Sequence, residues 1–456
     1  MTAPVASLPA AGAKVLVVGL GKTGLSCARW LHRRGYTVAV TDSREAPPGL
    51  EAVRAELPDV ALMLGGFSAQ ALAAAELVVL SPGVPLAEPA IQTAIASGLP
   101  VIGDIELFAR VVEAPVVGIT GSNGKSTVTT LLGLMARQAG HRVAVGGNLG
   151  EPVLDLLADD ATLYVLELSS FQLETTESLV LEAATVLNLS PDHMDRYPDM
   201  AAYAAAKQRI FAHAKAAVVP RDDPAAARLA GAIGRQLGFT LGPPAEPADY
   251  GIVEHQGVRW IARGDEPVVA VSDLLMTGSH NLANALAALA LADLCDLDRA
   301  ATLGALRAFR GLRHRSELVA DQNDIRWIND SKGTNPGASI AALRGLVPDP
   351  RRGKAVLIAG GDCKGAEFDQ LAAVIGELAR AVVLIGRDAP RIAAAVGGRV
   401  QVLTAADMDE AVRLAARAAR PGDCVVLSPA CASFDMFDDY QHRGRAFAEA
   451  VQRWLA

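Results

Sequence analysis

Aromatic rings, lysine and cysteine are all scarce in this chain, and long apolar runs are missing. Four Trp, six Tyr and ten Phe among 456 residues leave the core to aliphatic side chains, the Ala, Val and Leu of layered α/β proteins. Five cysteines (27, 295, 363, 424 and 431) form no CxxC pair and no even-numbered framework. That excludes a disulfide scaffold or a Cys-rich zinc site and fits reduced thiols in small core positions. No apolar stretch reaches the roughly 18 residues a membrane span needs, and MTAPVASLPAAGA lacks the basic start and apolar run of a signal peptide. A cytoplasmic protein without membrane insertion is expected. With 42 basic against 50 acidic residues, a formal net charge of -8, there is no electrostatic footprint for nucleic acid. Of the basic residues 34 are Arg; the eight lysines stand at 14, 22, 125, 207, 215, 332, 354 and 364.

The length is about three times that of a usual domain, so two to four domains are expected. Three nucleotide-sized units can be read. KVLVVGLGKTGLSCARWLHRRGYTVAVTD is strand, glycine turn, helix and strand, and its unit closes near residue 112. PVVGITGSNGKSTVTTLLGLMARQAGHRVAVGG starts a second unit, with further buried strands at TLYVLELSS, AATVLNLS and KAAVVP and a small antiparallel excursion over about 239–277. After GLRHR a third unit alternates strands (IRWIND, KAVLIAGG, RAVVLIG, DCVVLSP) with Ala-rich helices, the pattern of a doubly wound parallel sheet. The expected boundaries are 1–112, 113–312 and 313–456, with hinges near 112 and 313.

Gly19, Gly21 and Gly24 form GxGxxG after a strand, and Asp42 ends the next one. Such glycines allow a tight turn and close approach of a phosphate to a helix N-terminus. Read alone, the fingerprint favours a dinucleotide, with Asp42 on a ribose hydroxyl as in an NAD-dependent oxidoreductase. Ser43 and Arg44 follow, however, and Arg44 suits a phosphate equally well. The motif says nucleotide more firmly than it says which one.

GITGSNGKST is the most specific local feature. Gly121 and Gly124 shape a turn of backbone N–H donors, Lys125 supplies an ammonium for the β/γ-phosphates and Ser126 a hydroxyl for Mg²⁺. The spacing departs from GxxxxGK[ST], because Ile119 holds the first glycine position. Glu167 ends a strand expected to neighbour that of the loop, so both reach one sheet edge. His193 and Asp195, in LNLSPDHMDRY, follow another strand to the same edge.

With GITGSNGKST, LELSSFQLE, NLSPDHMDRY, AAKQRIF, GSHNLANA, GLRHR, WINDSKGTNP, GGDCKG and LSPACASFD in that order, nearly the whole chain resembles the Mur ligases of bacterial peptidoglycan synthesis. GLGKTGLS and LSPACASFD are particular to the members that add D-glutamate, and no DNPR motif of the diamino-acid-adding members is present. The resemblance implies two Rossmann-like domains flanking a central P-loop ATPase domain, which replaces the NAD reading. It further implies an ATP-dependent carboxylate-amine ligase, a monomer, that uses two Mg²⁺ ions to join D-glutamate to UDP-N-acetylmuramoyl-L-alanine through an acyl phosphate. The alternatives are a related Mur or folylpolyglutamate-type ligase with another acceptor or amino acid.

By the same resemblance Lys22, Thr23, Asp42, Ser43, Arg44, Ser81, Gly83 and Asn148 contact the UDP-sugar. Gly121, Ser122, Asn123, Gly124, Lys125, Ser126 and Thr127 bind ATP with Asn281, Arg315, Asp330 and Lys332. Ser126, Glu167, His193 and Lys207 serve the metals. Lys207 does so only once CO₂ has converted its amine to a carbamate; from sequence alone it reads as a solvent-facing helical lysine. Thr334, Lys364, Ser433, Phe434 and Tyr440 match the D-glutamate positions, Tyr440 standing where Phe is usual. Lys125, Glu167, His193, Lys207, Arg315 and Lys332 form the catalytic set.

Overall fold

Short, mostly aliphatic runs make the strands of three separate sheets. The structure is a computed structural model describing residues 8–276, 278–363 and 365–456; the expected D-glutamate residue Lys364 lies outside the described residues. β1 (Lys14–Val18), β2 (Thr37–Asp42), β3 (Ala61–Leu64), β4 (Leu77–Leu80) and β5 (Val101–Gly103) run parallel in the order β3-β2-β1-β4-β5. The order reverses between β1 and β4, so a crevice opens at their carboxyl ends. The glycine turn lies there, and Ser81 after β4 donates its hydroxyl to Gly19 O at 2.7 Å.

The central sheet has nine strands: β6 (Val116–Thr120), β7 (Val143–Gly147), β8 (Leu163–Glu167), β9 (Ala183–Val186), β10 (Ala216–Pro220), β11 (Arg235–Phe239), β12 (Tyr250–His255), β13 (Val258–Arg263) and β14 (Glu266–Ala270). Their order is β14-β13-β12-β11-β10-β9-β6-β8-β7. β12–β14 form the antiparallel excursion expected from sequence. The third sheet comprises β15 (Glu317–Gln322), β16 (Ile325–Asn329), β17 (Ala355–Gly360), β18 (Ala379–Ile385), β19 (Gln401–Thr404) and β20 (Cys424–Leu427), ordered β15-β16-β20-β17-β18-β19. Only β15 is antiparallel to its neighbour. Sequence reading missed β3, β11, β15 and β19; β3, β15 and β19 are mostly half-buried or exposed, and β11 (RQLGF) begins polar, so none shows the continuous apolar run of an interior strand.

Alternation along the central strands sends successive side chains to opposite faces. Val117, Ile119, Val165 and Val218 pack beneath the helices Lys125–Gln138 and Ser279–Leu294. On the other face Tyr164, Leu166, Ala184 and Ala217 share one buried cluster with Val15, Leu31, Ile105 and Phe108 of the first unit. Phe108 meets Tyr164 edge-on, with centroids 5.1 Å apart. Glu106 is buried at this seam and accepts from Glu177 N, Ser178 N and Ser178 Oγ at 2.7, 2.8 and 2.7 Å. The hinge expected near 112 is therefore spanned by a shared core. Among the described residues, the two buried clusters of the third unit draw on neither of the others.

Candidate active site between the second and third units

β6 is buried throughout and runs into a loop in which Gly121 (φ +144°) and Gly124 (φ +85°) take a backbone that side chains resist. A Cβ on Gly124 would also lie 2.3 Å from Asn284 Oδ1. The loop is pinned from below: Asn123 N donates to Asn188 Oδ1 at 2.8 Å, and Ser122 Oγ to Ser190 O at 2.9 Å. Lys125 folds its ammonium back onto Gly121 O and Ser122 O at 2.8 and 2.9 Å. Burial lowers its pKa, and Glu167 opposes the shift. Ile119 pairs with Glu167 across β6 and β8, which puts Ser126 Oγ 2.5 Å from Glu167 Oε2. Asn148 Nδ2 holds the other carboxylate oxygen at 2.7 Å.

Three further cations converge here. Lys207 is not solvent-facing; it is 1% exposed, because its helix, Met200–Gln208, lays it over Tyr203 and under the loop. Its Nζ donates to Gly121 O at 3.0 Å and Thr120 Oγ1 at 3.4 Å. Burial, then the charge of Lys125, pushes its pKa well down. Arg315 reaches from the third unit to Ser126 Oγ at 2.6 Å. It is bracketed by His314 and Ser316, both in the left-handed region at φ +62° and +48°. Ser316 is anchored through its N–H to Asp330 Oδ1 and its hydroxyl to His280 Nε2, each at 3.0 Å. Lys332 stands over the Tyr440 ring at 4.0 Å, and burial followed by Arg315 brings its pKa down to about 8. Asp330 is pushed up to about 6 by burial, against hydrogen bonds from Ser428 and Ser316.

A cleft of about 280 Å³ lies between the units, lined by Asn123, Gly124, Thr127, Asn281, Arg315 and Lys332 among others. His193 flanks the loop with φ +57°, its ring edge-on to Phe171 at 4.8 Å. Asp195 is exposed nearby.

Of the residues expected at the UDP-sugar, Lys22 Nζ crosses to Gly150 O of the second unit at 2.9 Å. Asp42 accepts from Leu20 N at 2.7 Å and pairs with Arg44 at 2.7 Å. Burial opposes its charge, but these donors outweigh it and hold the carboxyl at about 2. Thr23 is half-buried in the first helical turn, and Ser43 and Gly83 are exposed on the same edge. Asn148 lies beside Glu167, to which it donates. At the expected D-glutamate positions, Thr334 is half-buried, Ser433 is buried and Phe434 is 68% exposed.

Comparison with known proteins decides the family. Residues 13–103 match the Mur ligase MurD-like N-terminal domain, 119–292 the Mur ligase middle domain and 314–431 the Mur ligase glutamate ligase domain. A protein of Nitrosococcus oceani called UDP-N-acetylmuramoylalanine--D-glutamate ligase is 54% identical over 98% of both chains. One of Pseudomonas aeruginosa with the same name is 52% identical over 96% of this chain and 97% of its own. The chain belongs to the Mur ligase family. The UDP-N-acetylmuramate-alanine ligase of Thermotoga maritima shares the fold, with a TM-score of 0.61 at 19% identity over 97% of this chain and all of the other. MurF ligase from Thermotoga maritima, solved in complex with ADP, gives 0.60 at 16% identity over 98% of this chain and 96% of its own.

In this Mur ligase two side chains at the unit boundaries were missed from sequence. Asn335 caps the helix Pro336–Leu346 through Ala338 N at 2.8 Å. Its Nδ2 reaches Asp192 Oδ2 at 3.1 Å and Asn123 Oδ1 at 3.4 Å, tying the third unit to the phosphate loop and to the neighbour of His193. Asn immediately before Pro is a recognisable helix start, but nothing in it reveals the partner. Arg196 joins Pro82 O of the first unit, at 3.0 Å, to Glu174 of the second at 2.9 Å.

The donor set fits magnesium. Among the described residues no group of three or more His, Cys, Asp or Glu could enclose a metal, whereas Mg²⁺ takes one or two protein oxygens and fills its shell with phosphate and water. Ser126 and Glu167 provide such a pair.

Proposed function

We propose that this Mur ligase joins D-glutamate to UDP-N-acetylmuramoyl-L-alanine at the expense of ATP. The first unit (1–112) takes the UDP-sugar, the second (113–312) ATP and the third (313–456) the amino acid. The observation that carries the reading is the convergence of Lys125, Lys207, Arg315 and Lys332 on one phosphate loop beside a hydroxyl–carboxylate pair. Full-length relatives named for this reaction support the substrate assignment.

A carboxylate is a poor acyl donor because an oxide ion does not leave. Transfer of the γ-phosphoryl of ATP to the L-alanine carboxylate breaks the terminal P–O bond and releases ADP. The amine of D-glutamate then attacks the acyl carbon and loses a proton, and phosphate departs from the tetrahedral intermediate. All three substrates are anionic, so the protein's work is charge neutralisation and in-line alignment. Lys125 is freed from Gly121 O and Ser122 O to meet the β/γ-phosphates. Arg315 and Lys332 bring cations from the third unit as it seats against the second, and Asn281 lines the cleft beside them. Mg²⁺ would screen the phosphate charge; Ser126 and Glu167 would hold one ion, and His193 and a carbamylated Lys207 a second.

An ammonium cannot serve a cation. The depressed pKa of Lys207 favours the neutral amine that attacks CO₂, and the resulting carbamate supplies the missing oxygens. Lys207→Ala is expected to lose activity and to recover part of it with millimolar short carboxylates; near wild-type activity without them would sink the carbamate. The reaction itself is tested by phosphate release with UDP-N-acetylmuramoyl-L-alanine, ATP, Mg²⁺ and, in turn, D-glutamate, L-glutamate and L-lysine. Release driven by any amino acid other than D-glutamate rejects the assignment.

A further inference from the structure

Two of the five cysteines stand together, far from each other in sequence. Asp362, after β17, and Ala432, after β20, exchange both backbone hydrogen bonds in an antiparallel bridge, at 3.0 and 2.8 Å. The next residues outward on each strand, Cys363 and Cys431, therefore face each other as a non-hydrogen-bonded pair. At such positions opposing Cα atoms come closest, within the range a disulfide spans. Cys363 N points elsewhere, to Asp388 Oδ2 at 2.8 Å. The two sulfurs are 2.6 Å apart, and both residues are buried, at 3% and 0% exposure.

We propose that Cys363 and Cys431 are a reversible dithiol–disulfide site, closed by a two-electron oxidant such as a peroxide and reopened by a dithiol. With hydrogen peroxide, Cys363, which keeps the little surface the pair has, attacks the O–O bond and becomes a sulfenic acid as the first water leaves. The Cys431 sulfur then displaces the hydroxyl as the second water. In sum two S–H bonds and one O–O bond break, and one S–S and two O–H bonds form. Both sulfurs lose one electron, and the peroxide oxygens gain two.

The surroundings make this a guarded site. Cys363 and burial together push the Cys431 thiol well up, so the resting pair resists weak oxidants. The Arg443 guanidinium, buried beside it and bonded to Cys431 O at 3.1 Å, supplies the positive charge that favours a transient thiolate. Once closed, the bond fastens the turn after β17 to the turn that carries Ser433 and Phe434. It also constrains the unfolded chain across a long loop, which stabilises the third unit.

The experiment uses the full chain. Native protein is treated with hydrogen peroxide, quenched, denatured, alkylated and weighed intact, with and without dithiothreitol before alkylation; melting of the native protein is followed in parallel. The expected result is loss of two hydrogens, three alkylated thiols instead of five, and a melting transition several degrees higher, all reversed by dithiothreitol. Cys363→Ser and Cys431→Ser should each abolish the change, and Cys424→Ser should leave it intact. Five alkylated thiols after oxidation of the wild type would overturn the proposal, as would a crosslink that survives in Cys363→Ser. The wild-type thiol count decides even if a variant fails to fold.

Discussion

The two seams of the molecule are built differently. Between the first and second units one buried cluster runs from Val15 through Phe108 to Tyr164 and Ala217. Between the second and third, named side chains reach across: Arg315 to Ser126, Ser316 to His280, Asn335 to Asp192. Opening an apolar seam costs in proportion to the area exposed, whereas hydrogen bonds broken as two units part are replaced by bonds to water, at a modest net cost for each. The first seam thus behaves as a weld and the second as a joint, and relative motion concentrates at the cleft between the second and third units.

Breaking the weld should give the largest effect. Phe108→Ala removes a fully buried ring and is expected to cost about 3–5 kcal/mol. Chemical denaturation should then show the first two units losing structure together; separate transitions would contradict a shared core. At the joint, Arg315→Ala should lower kcat by roughly 10²–10³-fold with little change in melting temperature, as measured by phosphate release.

Asn335→Asp keeps the helix cap but places a carboxylate against Asp192. A loss of about tenfold in kcat is expected, roughly 1.4 kcal/mol. Adding Asp192→Asn, which restores a donor–acceptor pair with its sense reversed, should recover much of it. Absence of recovery would reduce Asn335 to a cap.

Lys332 sharpens the comparison through pH. Its folded pKa of about 8 lies below the ordinary lysine value, so between about 8 and 10.4 the unfolded chain binds the extra proton. Stability from this residue is therefore lowest below about pH 8 and grows as pH rises through that window. Nucleotide phosphate favours the ammonium, so ATP binding near pH 9 should take up protons, which calorimetry in buffers of different ionisation enthalpy measures. The smallest effect belongs to Tyr440. Its ring face seats Lys332, and among the described residues its hydroxyl meets Gln441 Nε2 at 3.3 Å, so Tyr440→Phe should stay near wild type in ATP KM. Tyr440→Leu should weaken it by about two- to fivefold.

Local chemistry was readable from sequence, and distant pairing was not. The meeting of Ser126 with Glu167 could be foreseen because adjacent parallel strands deliver their carboxyl ends together. Lys207 could not be placed: its helix is Ala-rich on several faces, and only the packing of Tyr203 and the loop above makes its position interior. The weld escaped notice for a related reason. A strand buried on both faces reads as one apolar run and does not say what covers each face. Asn335 with Asp192, and Cys363 with Cys431, lie far apart along the chain.

The strand order of the third sheet also sets a timetable. β20, residues 424–427, pairs with β16 on one side and β17 on the other. Until the ribosome has made it, the two halves of that sheet have no common neighbour, while the first sheet is complete once residue 103 has emerged. The sheet of the first unit can therefore form early in synthesis, and that of the third forms only with the last strand, from contacts of long sequence separation that fold slowly. A nascent chain thus completes the sheet that carries its glycine turn well before the sheet that carries Arg315 and Lys332 to the phosphate loop.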